Sequence, residues 1–150
     1  MAETETSTKC RSPAGSFRLE VLLAEDWMGA SPSTVSGTNV GPLNAIFAGP
    51  ARATSVGRNA WRTLVGSPSL QPFCNAEGFN MVSGDDYQAV RLGVLTNQEN
   101  DCGTSDSRLG FGGQYNRCGV GADVSSGNVS TCGGDNGDRN NAFFGYIFVR

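Results

Sequence analysis

The chain has 150 residues, 11 Lys and Arg against 14 Asp and Glu, no histidine and a formal net charge of −3. That length suits one domain with a real core; a single lysine, Lys9, and no basic stripe argue against nucleic acid as a partner, and no apolar run approaches the ~20 residues of a membrane span. Without histidine there is no Ser-His-Asp or Cys-His catalysis and no imidazole zinc site.

Residues 1–15 are polar and are expected to fray until Cys10 is tied down. The opening M-A-E-T-E-T-S-T-K-C has no apolar core and does not read as a signal peptide. Ser16–Ala24 alternates, with Phe17, Leu19 and Val21 on one side and Arg18 and Glu20 on the other, which predicts a strand with one wet face. Trp27–Ala51 carries no charge and is rich in Ser, Thr, Gly and Pro, with an apolar island at Leu43–Ala48. It reads as a loop packed over the core, or as a contact surface for another subunit. A-W-R-T-L-V, at 60–65, predicts a strand anchored by Trp61, and G-S-P-S-L-Q-P turns the chain. Phe73–Val82 is short and mixed, Gly84-Asp85-Asp86 reads as a turn, and Tyr87–Leu95 predicts another strand.

Asn97–Asp138 is rich in Gly, Asn, Asp and Ser. Its composition predicts an ordered, irregular loop region rather than a helix or a long strand. Asn141–Arg150 is aromatic and β-branched, which predicts a buried strand. The strands before and after the loop region are expected side by side in one sheet. No internal repeat is visible. The predicted class is α+β, β-rich, with long irregular Gly-rich loops.

Five cysteines stand at 10, 74, 102, 118 and 132, with no C-x-x-C pair. Wide spacing within Gly/Asn-rich loops favours disulfides and an oxidising compartment. Cys74, Cys102, Cys118 and Cys132 are the candidates; four cysteines allow three pairings, and the fifth is left over.

The oxygen-bearing side chains of the loop region form the main constellation. Asn97, Glu99, Asn100, Asp101 and Asp106 precede the glycines, and Asp135, Asn136 and Asp138 follow Cys132. Hard oxygen ligands on a bendable backbone suit Ca²⁺; Asx-turns and caps suit the same residues equally. Glu99 and Asp101 would need one raised carboxyl beside an ordinary one to act as acid and base, which the sequence does not supply. No catalytic residue is assigned, and the chain is not read as an enzyme. Asn128-Val129-Ser130 is an N-glycosylation triplet.

The string R-L-G-V-L-T-N-Q-E-N-D-C-G-T-S-D-S-R-L-G-F-G-G, then a further Cys, G-G-D-N-G-D and a terminal F-G-Y-I-F-V-R, resembles the C-terminal part of fibrinogen-related secreted proteins, most of all the intelectin-like branch. The resemblance covers Val90–Arg150, about two fifths of the chain. It implies an extracellular α+β domain of the fibrinogen-like C-terminal type that binds calcium and glycans. Asn97 and Glu99 match the family's Asn-x-Glu run, and Asp135 matches its aspartate after Cys-Gly, with one extra glycine here. Where intelectins carry an Asn and a Glu after the cysteine, this chain has Gly103 and Ser105, with Asp106 next.

Together these readings predict a secreted, calcium-stabilised, lectin-like domain whose partner is a cell-surface carbohydrate. Asn97, Glu99, Asp101, Asp135 and Asp138 are the expected metal ligands. Asp106, Tyr115 and Asn136 are the expected ligand contacts, Tyr115 as a stacking platform. The alternative is a self-assembling subunit of a surface layer, fibre or adhesin, joined as a homo-oligomer through Trp27–Ala51 and the odd cysteine.

Overall fold

The computed structural model describes residues 16–24, 38–40, 43–84, 88–114, 124–130 and 132–149. In chain order the elements are β1 (Ser16–Ala24), β2 (Thr38–Val40), α1 (Leu43–Ala48), β3 (Arg52–Ala53), α2 (Arg58–Arg62), β4 (Phe73–Ser83), β5 (Gln88–Asn97), β6 (Ser107–Phe111), β7 (Ser126–Ser130), β8 (Arg139–Ala142) and β9 (Phe144–Val149). They form a six-stranded sheet in the order β3-β4-β5-β6-β7-β8 and a three-stranded sheet in the order β2-β1-β9. Every pairing is antiparallel. The protein is therefore β-rich with few helices, as composition predicts. No helix among the described residues is long and apolar enough to cross a membrane.

Three expectations are corrected. The stretch 97–138 is not one irregular loop: it contains β6 and β7, two strands of the main sheet. The strands bracketing it, β5 and β9, lie in different sheets. A-W-R-T-L-V is not a strand, since Arg58–Arg62 is helical. An apolar run that short cannot be told from a buried helix by periodicity. The strands expected at Ser16–Ala24 and around Tyr87–Leu95 are present as β1 and β5. Residues 1–15 and most of 27–51 lie outside the described residues.

The main core lies between the helices and the six-stranded sheet. Ile46 of α1, Trp61 of α2, Phe79 of β4, Leu92 and Val94 of β5, and Leu109 of β6 are all buried there. Each such side chain stabilises the fold by roughly 1.5–3 kcal/mol relative to exposure. α2 is fixed from beneath by Glu77, a buried β4 carboxylate that accepts the Gly57 amide at 2.9 Å and the Trp61 indole at 2.5 Å. β9 is less buried than its sequence suggests, with Phe144 89% and Tyr146 53% exposed.

A line of small residues crosses the whole main sheet. Ala53 faces Gly78, Gly78 faces Gly93, Gly93 faces Gly110, Gly110 faces Gly127 and Gly127 faces Ala142. Gly78, Gly110 and Gly127 have φ of 134°, 148° and 153°, a region closed to other residues without strain. A Cβ on Gly93 or Gly110 would overlap the backbone of the facing strand.

The sheet folds over along this line. In a flat strand Gln88 and Leu95 would stand about 23 Å apart. Arg108, which faces Leu95 across the ladder, nevertheless reaches Gln88 Oε1 at 3.4 Å and the Gln114 carbonyl at 3.3 Å. The Ser105 amide likewise reaches the hydroxyl of Ser83, at the opposite end of the β4–β5 hairpin, at 2.8 Å. Arg108 is only 2% exposed, so its guanidinium sits inside the fold.

Gly110→Ala should lower the unfolding free energy by about 3 kcal/mol, through backbone overlap and the closed φ region. Gly133→Ala, at φ 75° with open space around it, should cost only about 1 kcal/mol. Urea midpoints for the two variants, at unchanged slope, measure the contrast.

Candidate functional site

Folding brings the start of β4, the end of β5, the start of β6 and the end of β7 to one edge of the sheet, where three connections meet. These are Ser67–Pro72 before β4, Gln98–Asp106 between β5 and β6, and the β7–β8 connection around Cys132–Asp138.

The first connection crosses buried ground with no strand beside it, so side chains must satisfy its backbone. Asn128 of β7 does so for Ser69: Oδ1 accepts the Ser69 amide at 2.8 Å, and Nδ2 donates to the Ser69 carbonyl at 2.8 Å and to the Arg108 carbonyl at 3.0 Å. The Leu70 amide donates to Asp135 Oδ1 at 3.0 Å. The Gln71 amide donates to the hydroxyls of Thr96 and Ser107 at 3.0 and 3.1 Å. Gln71, itself fully buried, extends Nε2 to Gln98 Oε1 at 2.5 Å and to the Cys132 carbonyl at 2.6 Å. One amide side chain thus ties all three connections together. Asn128 is 1% exposed and its amide is fully used, so the glycosylation triplet is closed to a glycan in the folded protein.

Cys74 and Cys102 form a disulfide with Cα atoms 5.0 Å apart, joining the start of β4 to the Gln98–Asp106 loop. With partners 28 positions apart in the sequence, such a bridge restricts the unfolded chain by about 3–4 kcal/mol. Cys132 is disulfide-bonded as well; Cys118 lies outside the described residues. Within the loop, Asn97 is fully buried and donates to the Asp101 carbonyl at 2.7 Å. Asp101 accepts the Gly103 amide and the Thr104 hydroxyl, both at 2.8 Å. Those two bonds hold its carboxyl below the ordinary value. The loop is therefore fixed at both ends and in its middle.

Glu99 and Asp106 are the loop's other two carboxylates. Glu99 is exposed and accepts Gln98 Nε2 at 3.1 Å. Asp106 is 6% exposed. Burial raises its carboxyl, the negative charge of Glu99 adds to the rise, and bonds from Gln98 and Gln71 oppose it. Asp106 lies outside the Glu99–Asp101 pair weighed from the sequence. Phe73, 48% exposed, faces Asn97 across the ladder at the same edge.

The remaining expected residues stand elsewhere. Asp135 accepts Arg58 Nη2 at 2.5 Å and pairs with Arg62 Nη1. Burial alone would raise its carboxyl, but the Leu70 amide and the two guanidinium groups outweigh it and hold it down. Asn136 and Asp138 are exposed; the Asn136 amide meets Ser69 Oγ at 3.3 Å, and the Asp138 carbonyl accepts Arg139 Nη1 at 2.8 Å. Tyr115 lies outside the described residues. The structure thus places Asn97 at the end of β5, Glu99, Asp101 and Asp106 on the loop that follows, and Asp135 against the Leu70 amide. Among the described residues no three His, Cys, Asp or Glu side chains gather to hold a metal ion. Sequence reasoning missed Gln71, Gln98 and Phe73; the aromatic beside a cysteine was the available signal. No family model, curated protein or solved structure matches the chain.

Of the three shifted aspartates, Asp135 and Asp106 act on stability with opposite sign. Asp135, held down, stabilises the fold above the ordinary 3.8 and ceases to do so as pH falls through its lower folded value. Asp106, held up, destabilises the fold as it ionises with rising pH. Asp135→Asn should cost about 1–2 kcal/mol at neutral pH and flatten the acid limb. Asp106→Asn should leave neutral stability equal or higher. Urea midpoints from about pH 3 to pH 7 measure both.

Proposed function

We propose that this is an extracellular, lectin-like domain that binds carbohydrate at the Phe73–Asp106 edge. The observation that carries the reading is the rigid Gln98–Asp106 loop. The disulfide, Asn97 and the Asp101 turn fix it, and it presents an exposed carboxylate and amide beside an exposed aromatic ring. Carboxylates and amides accept and donate to sugar hydroxyls, while an aromatic face meets the C–H side of a pyranose ring. Phe73 takes the role expected of Tyr115. Preorganisation limits the entropy lost on binding. The disulfide fits an oxidising compartment, and the likeness of residues 90–150 to the fibrinogen-related, intelectin-like branch points the same way.

Calcium belongs to the proposal at one place, the Glu99–Asp106 pair. A divalent cation there would offset the Glu99 charge that adds to the effect of burial on Asp106. Asp101 and Asp135 hold the backbone and the arginines instead.

One observation favours assembly as a second reading. Phe144 and Tyr146, on β9, expose aromatic surface on the smaller sheet, as an interface between copies would require.

A glycan array with calcium or with EDTA tests the first reading. Binding should fall at least about tenfold in Phe73→Ala and in Glu99→Gln, with the fold intact. Binding unaffected by both variants removes the site, and no binding by native protein removes the reading. Size-exclusion chromatography of the same samples decides the second: a strict monomer opposes assembly.

A further inference from the structure

Across the glycine line from the loop edge, β4, β5 and the segment after β6 enclose a groove of about 340 Å³. Small-molecule sites begin at about 300 Å³. Its lining includes Asn80, Met81, Val82, Val90, Arg91 and Gln114.

Two of its polar side chains are anchored by the same helix end. Arg91 Nη2 donates to the Phe47 carbonyl at 2.6 Å. Asn80 Nδ2 donates to the Ile46 carbonyl at 2.8 Å and the Gly49 carbonyl at 3.0 Å. Both are donors at the carbonyl end of α1, where the backbone's partial negative charge favours them. Gly112 completes the arrangement: at φ 62° it packs so close that a Cβ there would overlap the Arg91 stem. The guanidinium is therefore held in place while the residue remains exposed. Among the described residues no carboxylate pairs with it.

Asn80 adds an unmet requirement. It is 9% exposed, sits at φ 52°, and its Oδ1 has no hydrogen-bond partner. An unpaired buried acceptor costs about 1–3 kcal/mol. Backbone strain and an unmet acceptor on a groove wall both characterise binding sites.

We propose that this groove is a second subsite, for a sugar residue bearing a carboxylate, of the hexuronate class. The Arg91 guanidinium pairs with the carboxylate, and the exposed Val82 side chain meets the C–H face. The choice of a sugar rests on the carbohydrate reading above; the choice of an acidic one rests on Arg91.

Amide chemical shifts titrated with glucuronate, glucose and acetate test it. Glucuronate should shift Arg91, Gly112 and Gln114, with glucose at least about tenfold weaker and acetate weaker than glucuronate. Arg91→Gln should remove the effect. Val82→Glu, which sets a repelling carboxylate at a position 61% exposed, should do the same without altering the melting temperature. Shifts confined to Gln98–Asp106 overturn the groove and leave the carbohydrate reading standing. Acetate matching glucuronate overturns the sugar class alone. No shift at either place with either sugar overturns both.

Discussion

The fold depends on a close backbone approach that only glycine permits. Four glycines stand in register across β4, β5, β6 and β7, with an alanine at each end of the row. Side chains there would hold the strands' backbones apart. Without them the sheet doubles over, and Arg108 is enclosed, bonded to Gln88, Gln114 and the Val124 carbonyl. A buried guanidinium is costly unless its donors are met, so the bend and the arginine require each other.

The bend sets where chemistry can occur. It gathers three connections at one edge, which buried amides then stitch in place of a strand ladder. Asn128 and Gln71 spend their hydrogen bonds on backbone and neighbouring amides, and Asp135 spends its carboxylate on Leu70 and two arginines. These residues are polar because the chain crosses the core there, not because a ligand waits. Those left to face outward, Gln98, Glu99 and Phe73, are few and fixed. The groove beyond the glycine line follows the same logic, with α1 holding Asn80 and Arg91 in position.

Period-two patterning made β1 and β5 legible in the sequence, and the cysteines made a disulfide legible. The strands β6 and β7 were not, because their glycines weigh toward loop in any reading by composition. R-L-G-F and S-G-N-V are strand sequences whose glycine marks a fold line rather than a turn. The spacing of Gly78, Gly93, Gly110, Gly127 and Ala142, at fifteen to seventeen residues, was the missed repeat. α2 was misread because Trp61 anchors a helix as readily as a strand. Sequence cannot separate a carboxylate that holds a turn, such as Asp101, from one that faces outward, such as Glu99. That difference lies in tertiary partners.

Proton–proton distances in solution test the folded sheet most directly. The account predicts nuclear Overhauser contacts between the Ser105 amide and the Ser83 side chain, and between the α-protons of Gly84 and Gly103, alongside the cross-strand Gly93–Gly110 contacts. Cross-strand contacts present at the glycines, with both long-range contacts absent, would mean an open sheet and contradict it.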